Sequence, residues 1–136
     1  ADAAATAAQA EKFVVIDDQS DVRKLVRMVL EVEHVDLHEA VNGDEGLELV
    51  RKLRPDYVIL DVMMPGELNG FDVCGRIKAD KTLRDVRVIL MTALGRAEDR
   101  EHGRHAGADA YLVKPVSFLK LLETIDTLRD KPAQVH

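Results

Sequence analysis

The feature that most constrains this sequence is a set of short apolar runs, each stopped abruptly by a polar residue. Phe13-Val14-Val15-Ile16 ends at Asp17-Asp18, and Tyr57-Val58-Ile59-Leu60 ends at Asp61. The near-continuous run Val86 to Met91 ends at Thr92, and Ala110 to Val113 ends at Lys114. Runs this short, with no alternation of polar residues, suit strands buried on both faces. A more polar stretch, Val35 to Ala40, alternates and reads as an edge strand.

The segments between these runs have helical spacing. Val22, Leu25, Val26, Val29 and Leu30 form one apolar stripe, with Ser20 placed to cap it. Leu47, Leu49, Val50 and Leu53 follow the Asn42-Gly43 turn, and Pro55 ends that helix. Phe71, Val73, Cys74 and Ile77 form a third helix after a loop over 66–70, and Phe118, Leu121, Leu122, Ile125 and Leu128 form a strongly amphipathic last one. A polar, weakly patterned helix runs from Gly95 to about His105, closed by Gly107. Gly95, Gly103 and its thin apolar pattern fit either a loosely held helix that suits a switch or simply a short exposed one. Five strands alternating with five helices require parallel crossovers, which are right-handed. The expectation is a three-layer, doubly wound α/β domain. Pattern alone does not give the strand order.

At 136 residues the chain suits one domain with one core, placed over 12–130. Residues 1–11, mostly alanine, read as a tail or linker, and 131–136 as a C-terminal tail. With no initiating Met, the chain reads as processed, or as a piece excised from a longer protein. Aromatics make up only 4%, so the core is aliphatic. A net charge of -6 argues against nucleic acid or an anionic membrane as the main partner. No apolar stretch is long enough to span a bilayer, and the alanine-rich start lacks the features of a signal peptide. The single cysteine, Cys74, excludes an intramolecular disulfide and a cysteine zinc cluster, and fits the reducing cytoplasm.

Taken singly, the polar strand ends have plain roles. Asp17 and Asp18 could cap a helix, Asp61 could serve the turn before Pro65, Thr92 could bond to nearby backbone, and Lys114 could be a solvated surface lysine. Together they are harder to dismiss, because the carboxyl ends of parallel strands share one edge, where open α/β sheets bind ligands. Carboxylates crowded there repel by about 4 kcal/mol for charges ~4 Å apart at an effective dielectric of ~20. A hard divalent cation relieves this, and oxygen ligands without His or Cys select Mg²⁺ or Mn²⁺. Such a site accepts a phosphoryl group, with Lys114 adding positive charge, Thr92 a hydroxyl donor, and Asp61 the nucleophile that forms an acyl phosphate.

In order, Asp17-Asp18, Asp61-Val62-Met63-Met64-Pro65, Thr92-Ala93 and the run Ala106 to Pro115 resemble the receiver domain of two-component response regulators over about residues 12–130. The resemblance implies a flavodoxin-like sheet of order 2-1-3-4-5. It implies that Asp61 takes a phosphoryl group from a phosphohistidine of a sensor histidine kinase or a histidine phosphotransfer protein. Asp18, Asp61 and the backbone carbonyl of Met63 would ligate Mg²⁺, with Asp17 acting mainly through water. Thr92 and Lys114 would contact the phosphoryl oxygens, Tyr111 would swing inward with Thr92, and the Lys114-Pro115 bond would be cis. From the residues alone, Tyr111 is a half-buried edge residue. The fourth helix, fifth strand and fifth helix would signal to a downstream protein or output domain, and receivers often pair as homodimers through that face.

The chain departs from the family pattern in two places. The loop 66–70 is one residue longer than usual, with Asn69 where Asp is common. Met63 and Leu94 flank the site without an acid or amide to orient water, which predicts slow hydrolysis of an acyl phosphate. Three other readings compete. A haloacid-dehalogenase-type phosphatase would need its nucleophile after the first strand, a second Asp two residues on and room for a cap domain. A nucleotide or flavin module would need donors or a Gly-rich loop where Asp17-Asp18 stands. A receiver-like module that only binds a partner would keep the site without the reaction.

Overall fold

A computed structural model describes residues 10–131. Most of the alanine-rich stretch read as a tail lies outside the described residues, as does the C-terminal tail beyond residue 131. The elements are β1 (Lys12–Ile16), α1 (Ser20–Glu31), β2 (Asp36–Ala40), α2 (Gly43–Leu53), β3 (Tyr57–Leu60), α3 (Gly70–Ala79), β4 (Arg87–Thr92), α4 (Ala97–His105), β5 (Ala110–Val113) and α5 (Phe118–Arg129). A single 3₁₀ turn, Lys81–Leu83, joins α3 to β4.

All strand pairs are parallel, and the order is β2-β1-β3-β4-β5. The polar strand β2 lies at an edge, as its alternating pattern requires. Alternate residues of the buried strands point to opposite faces, which divides the core in two. Val14, Ile16, Val58, Leu60, Val88 and Leu90 meet α2 and α3 on one face, where Tyr111 and Ala106 of the α4–β5 region also pack. Phe13, Val15, Ile59, Ile89, Met91 and Leu112 meet α1 and α5 on the other.

Several helix boundaries differ from the sequence reading. The cap of α1 is Gln19 rather than Ser20, which is the first helical residue, and no side chain caps that end. Asn42 caps α2 by accepting from the Glu45 amide at 2.8 Å. That helix ends at Arg54, whose left-handed conformation (φ 48°) turns the chain before Pro55 can. Asn69 explains itself in the same way. Its side chain accepts from the Asp72 amide at 2.9 Å while Asp72 accepts from the Asn69 amide at 3.0 Å, a reciprocal cap for α3.

Candidate functional site

The order 2-1-3-4-5 reverses direction between β1 and β3, the point beyond whose strand ends open α/β sheets bind ligands. Ile16 pairs with Leu60, so the next residues, Asp17 and Asp61, stand level on neighbouring strands. Sheet-edge backbone bonds hold both: Asp17 N donates to Ala40 O at 3.1 Å, and Asp61 N to Ile16 O at 3.0 Å. Thr92 is the last residue of β4 rather than the residue after it, and pairs with Val113. Lys114 follows, its amide donating to Thr92 O at 2.8 Å.

These placements bring the carboxylates of Asp17, Asp18 and Asp61 within 4.8 Å of one another. Asp17 (1% exposed) and Asp61 (5%) are buried, whereas Asp18 faces solvent. The Lys114 ammonium bridges the buried pair, 2.9 Å from Asp17 Oδ2 and 3.0 Å from Asp61 Oδ2, and donates to Gln19 Oε1 at 3.3 Å. The second oxygens are also occupied. Asp17 Oδ1 accepts from the Gln19 amide at 2.9 Å, and Asp61 Oδ1 from the Met63 amide at 3.2 Å. The site's departure into α3 is tight, because a Cβ on Gly70 would stand 2.2 Å from Asp61 O and 2.5 Å from Val62 Cα.

Burial raises the Asp17 carboxyl above its ordinary range, against the pull of its bonds to Lys114 and Gln19. For Lys114 burial works against the charge, but the bonds to Asp17 and Asp61 outweigh it, and its affinity for a proton rises. The lysine is therefore a fixed cation, bonded to two of the three clustered carboxylates. One ammonium cannot neutralise three acids, and the remaining donors are hard oxygens with no imidazole or thiolate among them. This donor set fits Mg²⁺ or Mn²⁺.

Away from the acids, Thr92 is fully buried, and its Oγ1 lies 3.4 Å from the Leu94 amide. The Tyr111 phenol donates to the Leu94 carbonyl at 2.7 Å, so the ring points inward. The Lys114-Pro115 peptide bond is cis. Met63 is 57% exposed beside the acids. Among the described residues no helix is long and apolar enough to cross a membrane.

The sequence reading missed two contacts away from the acid cluster, the first of them at the opposite end of the sheet. Lys78 and Asp109 form a buried ion pair at 2.8 Å. Phe71, at the start of α3, stacks on His102 of α4 with ring centroids 3.9 Å apart. A lysine near a helix end and a histidine on a polar helix give no sign in sequence of such partners. The motif residue Asp109 was visible, but its partner was not.

Comparison with known proteins places the fold and site in context. The family model for the response regulator receiver domain matches residues 13–126. A DNA-binding dual master transcriptional regulator of Synechocystis, RpaA, is 37% identical over 117 residues, covering 86% of this chain and 48% of the relative. The transcriptional regulatory protein ResD of Bacillus subtilis is 37% identical over 123 residues, covering 90% and 50% respectively. The chain thus spans about half the length of these relatives. Among solved structures, the chemotaxis response regulator CheY4 of Vibrio cholerae superposes with a TM-score of 0.82 at 27% identity, covering 88% of this chain and 99% of that one. The BeF3-activated DrrB receiver domain does so with 0.80 at 29%, covering 90% and 100%. The sheet order, the helices on both its faces and these matches agree, and the chain belongs to the response regulator receiver domain family.

Proposed function

We propose that this receiver accepts a phosphoryl group on Asp61 from a phosphohistidine and changes its α4–β5–α5 surface in response. The observation that carries the reading is the meeting of Asp17, Asp18 and Asp61 with the Lys114 ammonium at the sheet's reversal point. A carboxylate oxygen of Asp61 attacks phosphorus, and the P–N bond to the donor imidazole breaks. The electron pair stays on the ring nitrogen, and an acyl phosphate is left on Asp61.

Asp18, Asp61 and the main-chain carbonyl of Met63 would hold Mg²⁺ or Mn²⁺, with Asp17 assisting through water. Bound there, the cation would neutralise charge on the transferred oxygens. Lys114 orients the Asp61 carboxylate beforehand and supplies a positive charge that needs no further proton. Thr92 supplies a hydroxyl to a phosphoryl oxygen, and Tyr111 follows Thr92 through the shared contacts at Leu94. The partners are a histidine kinase or histidine phosphotransfer protein upstream and an output protein or domain downstream, in the cytoplasm. Two phosphorylated copies pair through the α4–α5 face. The receiver unit spans 12–130, with tails on either side. It is a signalling domain that assists its own phosphorylation and slow dephosphorylation rather than an enzyme acting on others.

A titration with Mg²⁺, followed by amide NMR, tests the metal reading. Shifts centred on Asp17, Asp61 and Met63, lost in Asp18→Asn and Asp61→Asn variants, are expected. Binding that survives both changes rejects the proposed ligands. The acyl phosphate should persist for minutes or longer, because Met63 and Leu94 offer nothing to orient an attacking water. A lifetime of seconds refutes that part.

A further inference from the structure

α4 carries a glycine in its interior where the backbone does not require one. Gly103 lies within Ala97–His105, and the described glycines with positive φ are Gly66 and Gly107. Glycine inside a helix is less stable than alanine because of the chain freedom it loses. Gly103 is buried, and the need for it is spatial. A Cβ built there would stand 2.7 Å from Cδ2 and 3.0 Å from Cε2 of Tyr111, and 3.1 Å from Cδ1 of Leu90. The bare α4 backbone is therefore one wall of the slot that holds the Tyr111 ring. Arg100, on the same helix, sets its guanidinium 5.7 Å from the ring centroid, within cation–π reach. At the far end of the ring the phenol bonds to Leu94 O.

We propose that Gly103 is a positioning residue that makes room for the inward place of Tyr111. By having no side chain, it lets the ring lie inward against α4, under Arg100 and within reach of Leu94. The inference rests on the reading of Thr92 and Tyr111 as a coupled pair at the site. An alanine at 103 would collide with a half-buried ring that can swing toward solvent. The ring would leave, and its bond to Leu94 O would break. A phosphoryl-like ligand that favours the inward form would then lose apparent affinity in proportion to the inward fraction that remains.

The test uses the full chain labelled with 3-fluorotyrosine. The two tyrosines, Tyr57 and Tyr111, give two ¹⁹F resonances, assigned with Tyr111→Phe. Gly103→Ala is compared with Gly75→Ala, where an added Cβ meets nothing within 4 Å while the helix gains the same propensity. The expected result in unliganded protein is a Tyr111 resonance moved toward solvent exposure by Gly103→Ala and unmoved by Gly75→Ala. With Mg²⁺ and beryllofluoride, Gly103→Ala should bind about tenfold more weakly if the inward fraction falls to about a tenth. That effect should vanish when Tyr111→Ala is already present. An unmoved resonance in folded Gly103→Ala, or an equal loss in both backgrounds, overturns the proposal. If Gly103→Ala does not fold, folding of the Gly103→Ala, Tyr111→Ala double variant supports the proposal, and its failure overturns it. Failure of the wild type to bind beryllofluoride would count against the Asp61 reading alone, since the fluorine spectra need no ligand.

Discussion

Replacing Lys78 with methionine should destabilise this domain far more than a change at a helix end would suggest. Lys78 Nζ lies 2.8 Å from Asp109 Oδ2, and both side chains are only 2% exposed. The same ammonium donates to Val86 O at 2.8 Å, and Asp109 Oδ2 also accepts from the Val88 amide at 2.8 Å. The pair therefore ties the end of α3 to the starts of β4 and β5, the strand whose far end delivers Lys114. Methionine keeps most of the volume but leaves the Asp109 carboxylate buried without its ammonium. Breaking a buried pair in this way costs about 3–5 kcal/mol, because the surviving charge stays desolvated. Domains of this kind hold about 5–15 kcal/mol in total, so from about a fifth of the stability to nearly all of it is at stake. In urea, with a slope of about 2 kcal/mol per molar, the midpoint should fall by about 2 M. Adding Asp109→Leu should recover much of the loss by removing the stranded charge, giving a coupling of about 2 kcal/mol in the double-mutant cycle. A loss below about 1 kcal/mol for Lys78→Met, or simple additivity in the double variant, would refute the reasoning.

Two further expectations follow from packing. Gly70→Ala places a methyl group against the main chain of Asp61 and Val62, which cannot step aside as a side chain can. It should cost about 1–3 kcal/mol or more in denaturant melts and weaken Mg²⁺ binding measured by calorimetry. Burial pushes the Cys74 thiol up to about 12 from the usual 9.0, so native protein should resist iodoacetamide at pH 8 and react once unfolded in urea. Between those values the unfolded chain has released the thiol proton and the native chain has not. Stability should therefore be unaffected by this group below about pH 9 and fall as pH rises beyond it, as pH-dependent melts would show.

The sequence made the sheet legible because burial on both faces leaves unbroken apolar runs, and the residue after such a run is forced to the sheet's edge. Asp17, Asp61 and Lys114 were located this way. Thr92 proved to be the final residue of β4 itself. Helix starts were less legible, since Ser20 and Gln19 compete for the same boundary and the structure uses the main chain of Gln19. Asn69 looked like a departure at the site but caps α3. Gly103 has a spatial role that pattern did not show, although it is the one buried residue of α4. A glycine in a weakly patterned helix suggests loose packing, yet this one is buried because the helix presses directly on Tyr111. Lys78 carries no sign of its partner, because a lysine near a helix end ordinarily reaches solvent. Close approach and buried ion pairing depend on which elements become neighbours in three dimensions, and local pattern does not encode that.

The central claim is that Asp61 is a metal-dependent phosphoacceptor, and intact mass after incubation with a small-molecule phosphodonor tests it most directly. The account predicts a gain of one phosphoryl group with Mg²⁺ present. It predicts no gain with the metal chelated, and none in an Asp61→Asn variant that still folds. A phosphoryl group gained equally by Asp61→Asn, or gained without any divalent cation, would contradict it.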